Sequence, residues 1–234
     1  MAGERGNKAT VAAPVSVSGP VSGPVSGPGS GADDANAVDL RVPRTDRGRR
    51  TQRALLDAAA LEFGEKGFHE SSVVSITGRA GVALGSFYTY FESKDALFRA
   101  LVHDLSGRVR EAVTPAVIDS GLGTIATERT ALEAFLSFVR EHKELYRIID
   151  EAEFVANDAW QDHYFGNAGR ILNRLRLAEA EGQTSVPIDE VHAWAVMGMN
   201  VFLGLRFGVI DAERPVEDIA KIANAMVRRG IARD

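Results

Sequence analysis

The stretch Ala80-Gly81-Val82-Ala83-Leu84-Gly85-Ser86-Phe87-Tyr88-Thr89-Tyr90-Phe91-Glu92-Ser93-Lys94 decides the reading of this chain. Before it, Val73, Ile76 and Ala80 recur at three- and four-residue intervals and share one helical face. Gly81 then stands where a left-handed residue commonly ends a helix, a conformation glycine takes without a Cβ penalty. Phe87 and Phe91, four apart, lie on one face of the next helix. Helical geometry turns Gly85, Ser86 and Thr89 outward, with Tyr88 and Tyr90 on the flanks. A helix, a glycine turn and a short second helix with an aromatic inner face make the layout of a helix-turn-helix. In such a unit the second helix enters the major groove of DNA. Its outer face here is small and hydrogen-bonding, which suits close approach to base edges and phosphates.

The flanks extend the pattern. A first helix, with Leu55, Leu56, Ala59 and Phe63 as its inner stripe and Thr51 as its expected cap, ends in Phe63-Gly64-Glu65-Lys66-Gly67-Phe68. After the aromatic helix come Ser93-Lys94-Asp95-Ala96-Leu97, where Ser93 is a natural N-cap and Asp95 suits the positive helix end. Together with Ile76, Ala80-Gly81-Val82, Gly85, Phe87-Tyr88 and Tyr90-Phe91, this run from Thr51 to Leu101 resembles the TetR family of bacterial repressors. The resemblance implies that Gly85 and Ser86 approach base edges. It implies that Tyr88, Thr89 and Tyr90 touch phosphates or a thymine methyl, and that Lys94 contacts a phosphate beside the free N–H groups of its helix start. Arg50, Thr51 and Leu84 complete the expected DNA-contacting set. The chain departs from the family pattern at Ala83, where a serine cap is usual and whose loss costs about 0.5–2 kcal/mol. Thr77 replaces a small alanine, Gly78 costs roughly 1 kcal/mol inside a helix, and Leu84 replaces a polar contact residue.

Charge divides unevenly along the 234 residues. Residues 41–103 carry ten Lys/Arg against seven Asp/Glu, net +3, whereas 104–234 carry fifteen against twenty-one, net −6. A mildly basic reader on an acidic body fits sequence-specific DNA binding better than indiscriminate coating of DNA, which rests on phosphate neutralisation. No cysteine is present, which closes off disulfides, thiol nucleophiles and Cys-based metal sites. Residues 1–45 read as a disordered Gly/Pro/Ser-rich tail with a basic end, repeating Val-Ser-Gly-Pro from Val17 to Pro28. Arg41, Arg44, Arg47, Arg49, Arg50 and Arg53 follow, opposed only by Asp46, and could form a basic arm for the minor groove or phosphates. The N-terminus lacks a signal-peptide pattern. The apolar run Ala193–Ile210 holds Asn200, Arg206 and three glycines, so a buried or interfacial helix is expected rather than a membrane span. A cytoplasmic protein with no membrane partner is the expectation.

The fold class is all-α, with residues 46–92 as the DNA-binding domain and 93–234 as a larger helical body in which 93–106 is a linking helix. Further helices are predicted over Thr127–Glu141, Lys143–Val155, Asp158–Glu181, Ile188–Ile210 and Val216–Ile231, with breaks at Pro115, Gly121/Gly123, Gly182–Pro187 and Asp211–Pro215. The family resemblance implies a small effector bound among the middle helices and a homodimer formed by the last two. Candidate pocket residues are Phe135, Phe138, Tyr146, Ile149, Glu153, Phe154, Tyr164 and Met197. The effector is expected to be largely hydrophobic, with lipid-like and acyl thioester compounds among the candidates. Trp194, Gly198, Val201, Leu205 and Gly208 are the dimerisation candidates, on a helix apolar around most of its circumference. Gly204 and Gly208, four apart, permit close helix approach.

These readings describe a homodimeric regulator on a near-palindromic operator of double-stranded DNA, a repressor released by its effector, with no cofactor or metal. A DNA-binding protein without small-molecule control, switched by a partner protein or architectural, is the alternative. Catalysis would need Glu153 with His163, or the Asp150, Glu151 and Glu153 group with a histidine. Yet His142, His163 and His192 fall in no ligand spacing, and no phosphate loop or nucleophile motif is present.

Overall fold

The computed structural model describes residues 43–120 and 124–231. The Val-Ser-Gly-Pro repeat, Arg41 and the Gly121/Gly123 break lie outside them. Among the described residues the elements are helices: α1 (Asp46–Lys66), α2 (Val73–Ala80), α3 (Leu84–Tyr90), α4 (Lys94–Asp119), α5 (Thr124–Glu141), α6 (Glu144–Val155), α7 (Asn157–Ala180), α8 (Glu190–Gly204) continuing into a π-helical turn (Leu205–Ile210), and α9 (Val216–Ile231).

Helices α1 to α3 close on an aromatic and aliphatic core. Leu55, Phe63, Ile76, Phe87 and Phe91 are all buried, as the spacing predicts. Phe63, Phe68 and Phe98 pack mutually with ring centroids 5.0–5.8 Å apart, joining α1 to α4. Ser72 and Ser75 form a reciprocal cap at the start of α2, and Gly81 ends that helix at φ +68°. Ala83 offers α3 no side-chain cap, so the short helix is held by Phe87 and Phe91. Buried Glu62 binds Lys66 at 2.7 Å and Arg79 at 3.1 Å, and Arg79 also grips Glu65, which staples α2 onto α1.

Several boundaries differ from the sequence expectation. Thr45, not Thr51, caps α1: its hydroxyl accepts the Gly48 N–H at 3.1 Å, while the Thr51 hydroxyl bonds back to the Arg47 carbonyl inside the helix. Arg47, Arg49, Arg50 and Arg53 therefore sit on a helix rather than an extended arm. α4 does not stop near Ser106 but runs through Pro115 to Asp119. One missing N–H near the end is tolerated because Leu105 and Val109 are buried against neighbouring helices and hold the preceding turns. The last turn after α8 loosens to π geometry where Tyr146 reaches in and its hydroxyl donates to the Val201 carbonyl at 2.6 Å.

The stretch Glu190–Ile210 is apolar and long enough to cross a membrane by length and composition. Its Ala193, Val196, Met197, Gly204 and Gly208 are buried within the body. A Cβ on Gly204 would meet the Tyr146 hydroxyl at 2.1 Å, and one on Gly208 would meet Val139 at 2.5 Å. The close approach these glycines permit is to α6 and α5 of the same chain.

Candidate nucleic-acid interface and effector cavity

α3 presents the expected outer face. Leu84, Gly85, Tyr88 and Thr89 are exposed and Ser86 is half-buried, with open space around the Gly85 Cα. Tyr90 is half-buried, and its hydroxyl would lie 3.5 Å from a Cβ placed on Gly48. The end of α3 thereby meets the start of α1, and Arg44 just before that helix and Arg47 and Arg50 in its first turns are exposed. Two arginines of that run are engaged within the fold. Arg49 pairs with Asp46, and Arg53 clasps Asp104 of α4 through two nitrogens at 2.6 and 2.9 Å.

Lys94 takes a different place from the one expected. Its ammonium donates to the carbonyls of Phe68 (2.7 Å) and Ser71 (2.8 Å) and lies 4.3 Å from the Phe68 ring centroid. A cation held between two backbone carbonyls and an aromatic face braces the loop joining α1 and α2.

The body holds a partly open cavity of about 330 Å³ between α4, α5, α6, α7 and α8. Five of the expected residues line it: Phe135, Tyr146, Ile149, Tyr164 and Met197. Three do not. Phe138 is buried against His142 and Arg108 in the core, Glu153 points to solvent, and Phe154 is 86% exposed because it lies on the outer side of α6. The sequence reading missed Val109 and Val113 on α4 and a polar stripe on α7, His163, Asn167, Arg170 and Arg174. Their spacing of four, three and four puts them on one face of the helix, which was the available signal. Burial, then Arg170, pushes the His163 imidazole down to about 4, so it is neutral; its Nδ1 lies 2.7 Å from the Ser106 hydroxyl. No group of three His, Asp or Glu among the described residues is gathered as metal ligands would be.

The dimerisation candidates divide. Trp194 is exposed and stacks edge-on to Phe165, and Gly198 has no neighbour where a Cβ would stand. Leu205 is half-buried. Val201 instead lines the cavity, and Gly208 packs on Val139, so neither faces outward. Val191, Phe202, Ile210, Ile222 and Met226 are large exposed apolar side chains on α8, its π turn and α9.

α6 joins the two sites. Tyr146, Ile149 and Asp150 line the cavity, while Arg147 and Glu151, on the other side of the helix, hold the end of α1. Arg147 donates to the Glu65 carbonyl at 2.9 Å, and Glu151 accepts the Phe68 N–H at 2.6 Å.

Residues 55–101 match the sequence model of the family described as bacterial regulatory proteins, tetR family. The chain is 37% identical over 185 residues to the uncharacterized HTH-type transcriptional regulator YdgC of Bacillus subtilis, covering 77% of this chain and 93% of that protein. It is 35% identical over 196 residues to the HTH-type transcriptional repressor KstR2 of Rhodococcus jostii, covering 79% and 92%. The structure of SmeT from Stenotrophomonas maltophilia, solved as a complex with triclosan, aligns with a TM-score of 0.65 at 19% identity, over 79% of this chain and 92% of that one.

Proposed function

The chain belongs to the TetR family of bacterial regulatory proteins, and on that premise we propose that it is a homodimeric transcriptional repressor released from its operator by a hydrophobic small molecule. In this reading residues 46–92 are the DNA-reading unit and 93–234 the regulatory and dimerisation body, joined by α4. Each protomer lays α3 in a major groove. Gly85 and Ser86 approach base edges, and Tyr88, Thr89 and Tyr90 serve phosphates or a thymine methyl. Arg50 and the start of α1 add phosphate contacts. The exposed apolar residues of α8 and α9, Trp194 and Phe202 among them, are the face offered to the second protomer. A two-fold dimer favours a near-palindromic operator with half-sites about 34 Å apart, or a multiple of that distance.

The observation that carries the effector reading is the double role of α6, one side on the cavity and the other on the end of α1. An occupant that moves α6 moves the hold on α1, and with it the spacing of the two α3 helices. Only a ligand that binds better to the body in its DNA-incompatible arrangement shifts the equilibrium. That triclosan is found with SmeT supports a cavity of this fold accepting an apolar compound.

Selection of binding sites from random duplex DNA by the full chain tests the reading. It should return an inverted repeat, and a Phe202→Glu variant should elute as a monomer and lose that selection. Enrichment of no sequence, or selection retained by a monomer, would contradict it.

A further inference from the structure

The cavity has two chemically different ends. α7 runs along it, and Tyr164 and Arg174, ten residues apart, stand about 15 Å from each other along the helix axis. At the Tyr164 end lies Asp150, the acidic residue in the cavity lining, electrostatically coupled to Tyr146 and Tyr164. Toward the other end the lining carries three guanidinium groups, Arg110 of α4 and Arg170 and Arg174 of α7. Between them the walls are mostly apolar, with Val113, Ile149 and Met197 among the lining residues and Asn167 and Asn200 as polar interruptions.

The three arginines are not equally compensated. Arg174 binds both carboxylate oxygens of buried Glu128, at 2.5 and 2.9 Å. Arg170 gives one nitrogen to the Asn167 side-chain carbonyl at 2.6 Å, and Arg110 is exposed. Among the described residues no carboxylate lies within 4 Å of either one. Arg170 is held below its ordinary basicity, first by burial and then by repulsion from Arg110 and Arg174. Arg170, half-buried beside the apolar chamber and without a carboxylate partner among the described residues, leaves a demand that an anion would meet, and solvent-exposed Arg110 adds a second positive charge near it. A guanidinium fork matches a carboxylate or phosphate with paired hydrogen bonds.

We propose that the effector is an amphipathic anion, with an apolar body among Val113, Ile149 and Met197 and an acidic head group received by Arg170 and Arg110. This rests on the effector reading above and specifies what such an effector must carry. Asp150 at the far end disfavours a second negative charge there, so the anion enters in one orientation.

Calorimetric titration and thermal shift on the full chain test this with four probes of matched chain length: octanoate, octyl phosphate, octanol and octylammonium. At least one of the two anions should bind about tenfold or more tightly than octanol, a difference of about 1.4 kcal/mol. An advantage shared by both anions, or confined to one, supports the proposal and identifies the head group. Replacing both arginines, Arg170→Gln with Arg110→Gln, should abolish the advantage while octanol affinity stays within about twofold. Arg170→Lys, which keeps the charge and loses the fork, should retain part of it. Octanol or octylammonium binding as tightly as the anions would overturn the anionic assignment and leave the effector reading intact. Failure of all four to bind or to raise the melting temperature would overturn both. An anion preference unchanged in the double variant would overturn the role of these arginines. The comparison among probes needs no variant, so it holds even where a substitution fails to fold.

Discussion

Glu151 accepts the backbone N–H of Phe68 at 2.6 Å, which ties α6 to the residue just after the glycine turn that ends α1. The same carboxylate lies 3.5 Å from Arg147, whose own guanidinium reaches the carbonyls of Gly64 and Glu65. Two side chains on one face of α6 thus hold both the last turn of α1 and the chain beyond it. Glu151→Ala leaves the Phe68 N–H without this acceptor, and should cost about 1–3 kcal/mol of stability. More tellingly, a compound that binds the cavity should then weaken DNA binding far less than in the unaltered protein, while its own affinity is kept. DNA affinity measured with and without the compound, in both proteins, checks this.

Lys94→Ala should lower the melting temperature, because two loop carbonyls lose a charged donor and the Phe68 ring loses its cation, together worth about 1–3 kcal/mol. The slope of log affinity against log salt should stay unchanged, since a lost phosphate contact would reduce it by about one unit. A shallower slope with an unchanged melting temperature would return Lys94 to the DNA.

Gly67 and Gly78 should respond in opposite directions to alanine. Gly67 has φ +84° and ψ 169°, a region that is essentially glycine-only, and a Cβ there would meet Glu151 at 2.5 Å and Arg147 at 2.8 Å. Gly67→Ala should therefore destabilise the protein by about 1–3 kcal/mol and disturb the link to α6. Gly78 lies inside α2 with open space where a Cβ would go. Gly78→Ala should stabilise by about 0.5–1 kcal/mol. Urea denaturation of both variants reads the two signs.

Acid should weaken the fold in two overlapping steps. His163 is held neutral in the folded protein, at about 4 against 6.5 for the free side chain, by burial and by Arg170. Below pH 6.5 the unfolded chain takes up that proton while the folded chain does not, so stability falls as pH drops from about 6.5 toward 4. The hydrogen bond from Lys66, helped by Arg79, holds the Glu62 carboxyl below its ordinary 4.5. Its contribution is complete above 4.5 and is lost as pH falls through the folded value. Stability measured against pH should flatten between 6.5 and 4 in His163→Gln. In Glu62→Gln it should flatten only below 4.5, with a lower plateau at neutral pH because Lys66 loses its buried partner.

Much of this architecture was legible in the sequence because it rests on local rules. The spacing of Ile76, Phe87 and Phe91 fixes which faces of α2 and α3 are buried, and Gly81 fixes the turn between them. What escaped depended on contacts distant in sequence. Lys94 is drawn to carbonyls 23 and 26 residues earlier, which no local pattern near Ser93 reveals. Local propensity marks Pro115 as a break, and the packing of α4 overrides it. Phe154 looked like a pocket residue by composition, yet the face of α6 that meets the cavity is set by Tyr146 and Ile149. The arginines of α7 went unread because a helix with polar residues every three or four positions looks solvated until the neighbouring helices close over it.

The most direct test of the central claim is a fluorescence anisotropy titration on the DNA just upstream of this protein's coding region, with excess unrelated duplex as competitor. The unaltered chain and a Tyr88→Ala variant are compared. Tyr88 is 52% exposed on α3 and packs edge-on against Phe87, so its loss should lower the melting temperature only slightly. The unaltered protein should bind saturably and keep binding under competitor, and Tyr88→Ala should bind about tenfold or more weakly. Binding abolished by the competitor, or equal affinity in the two proteins, would contradict the placement of α3 in the groove.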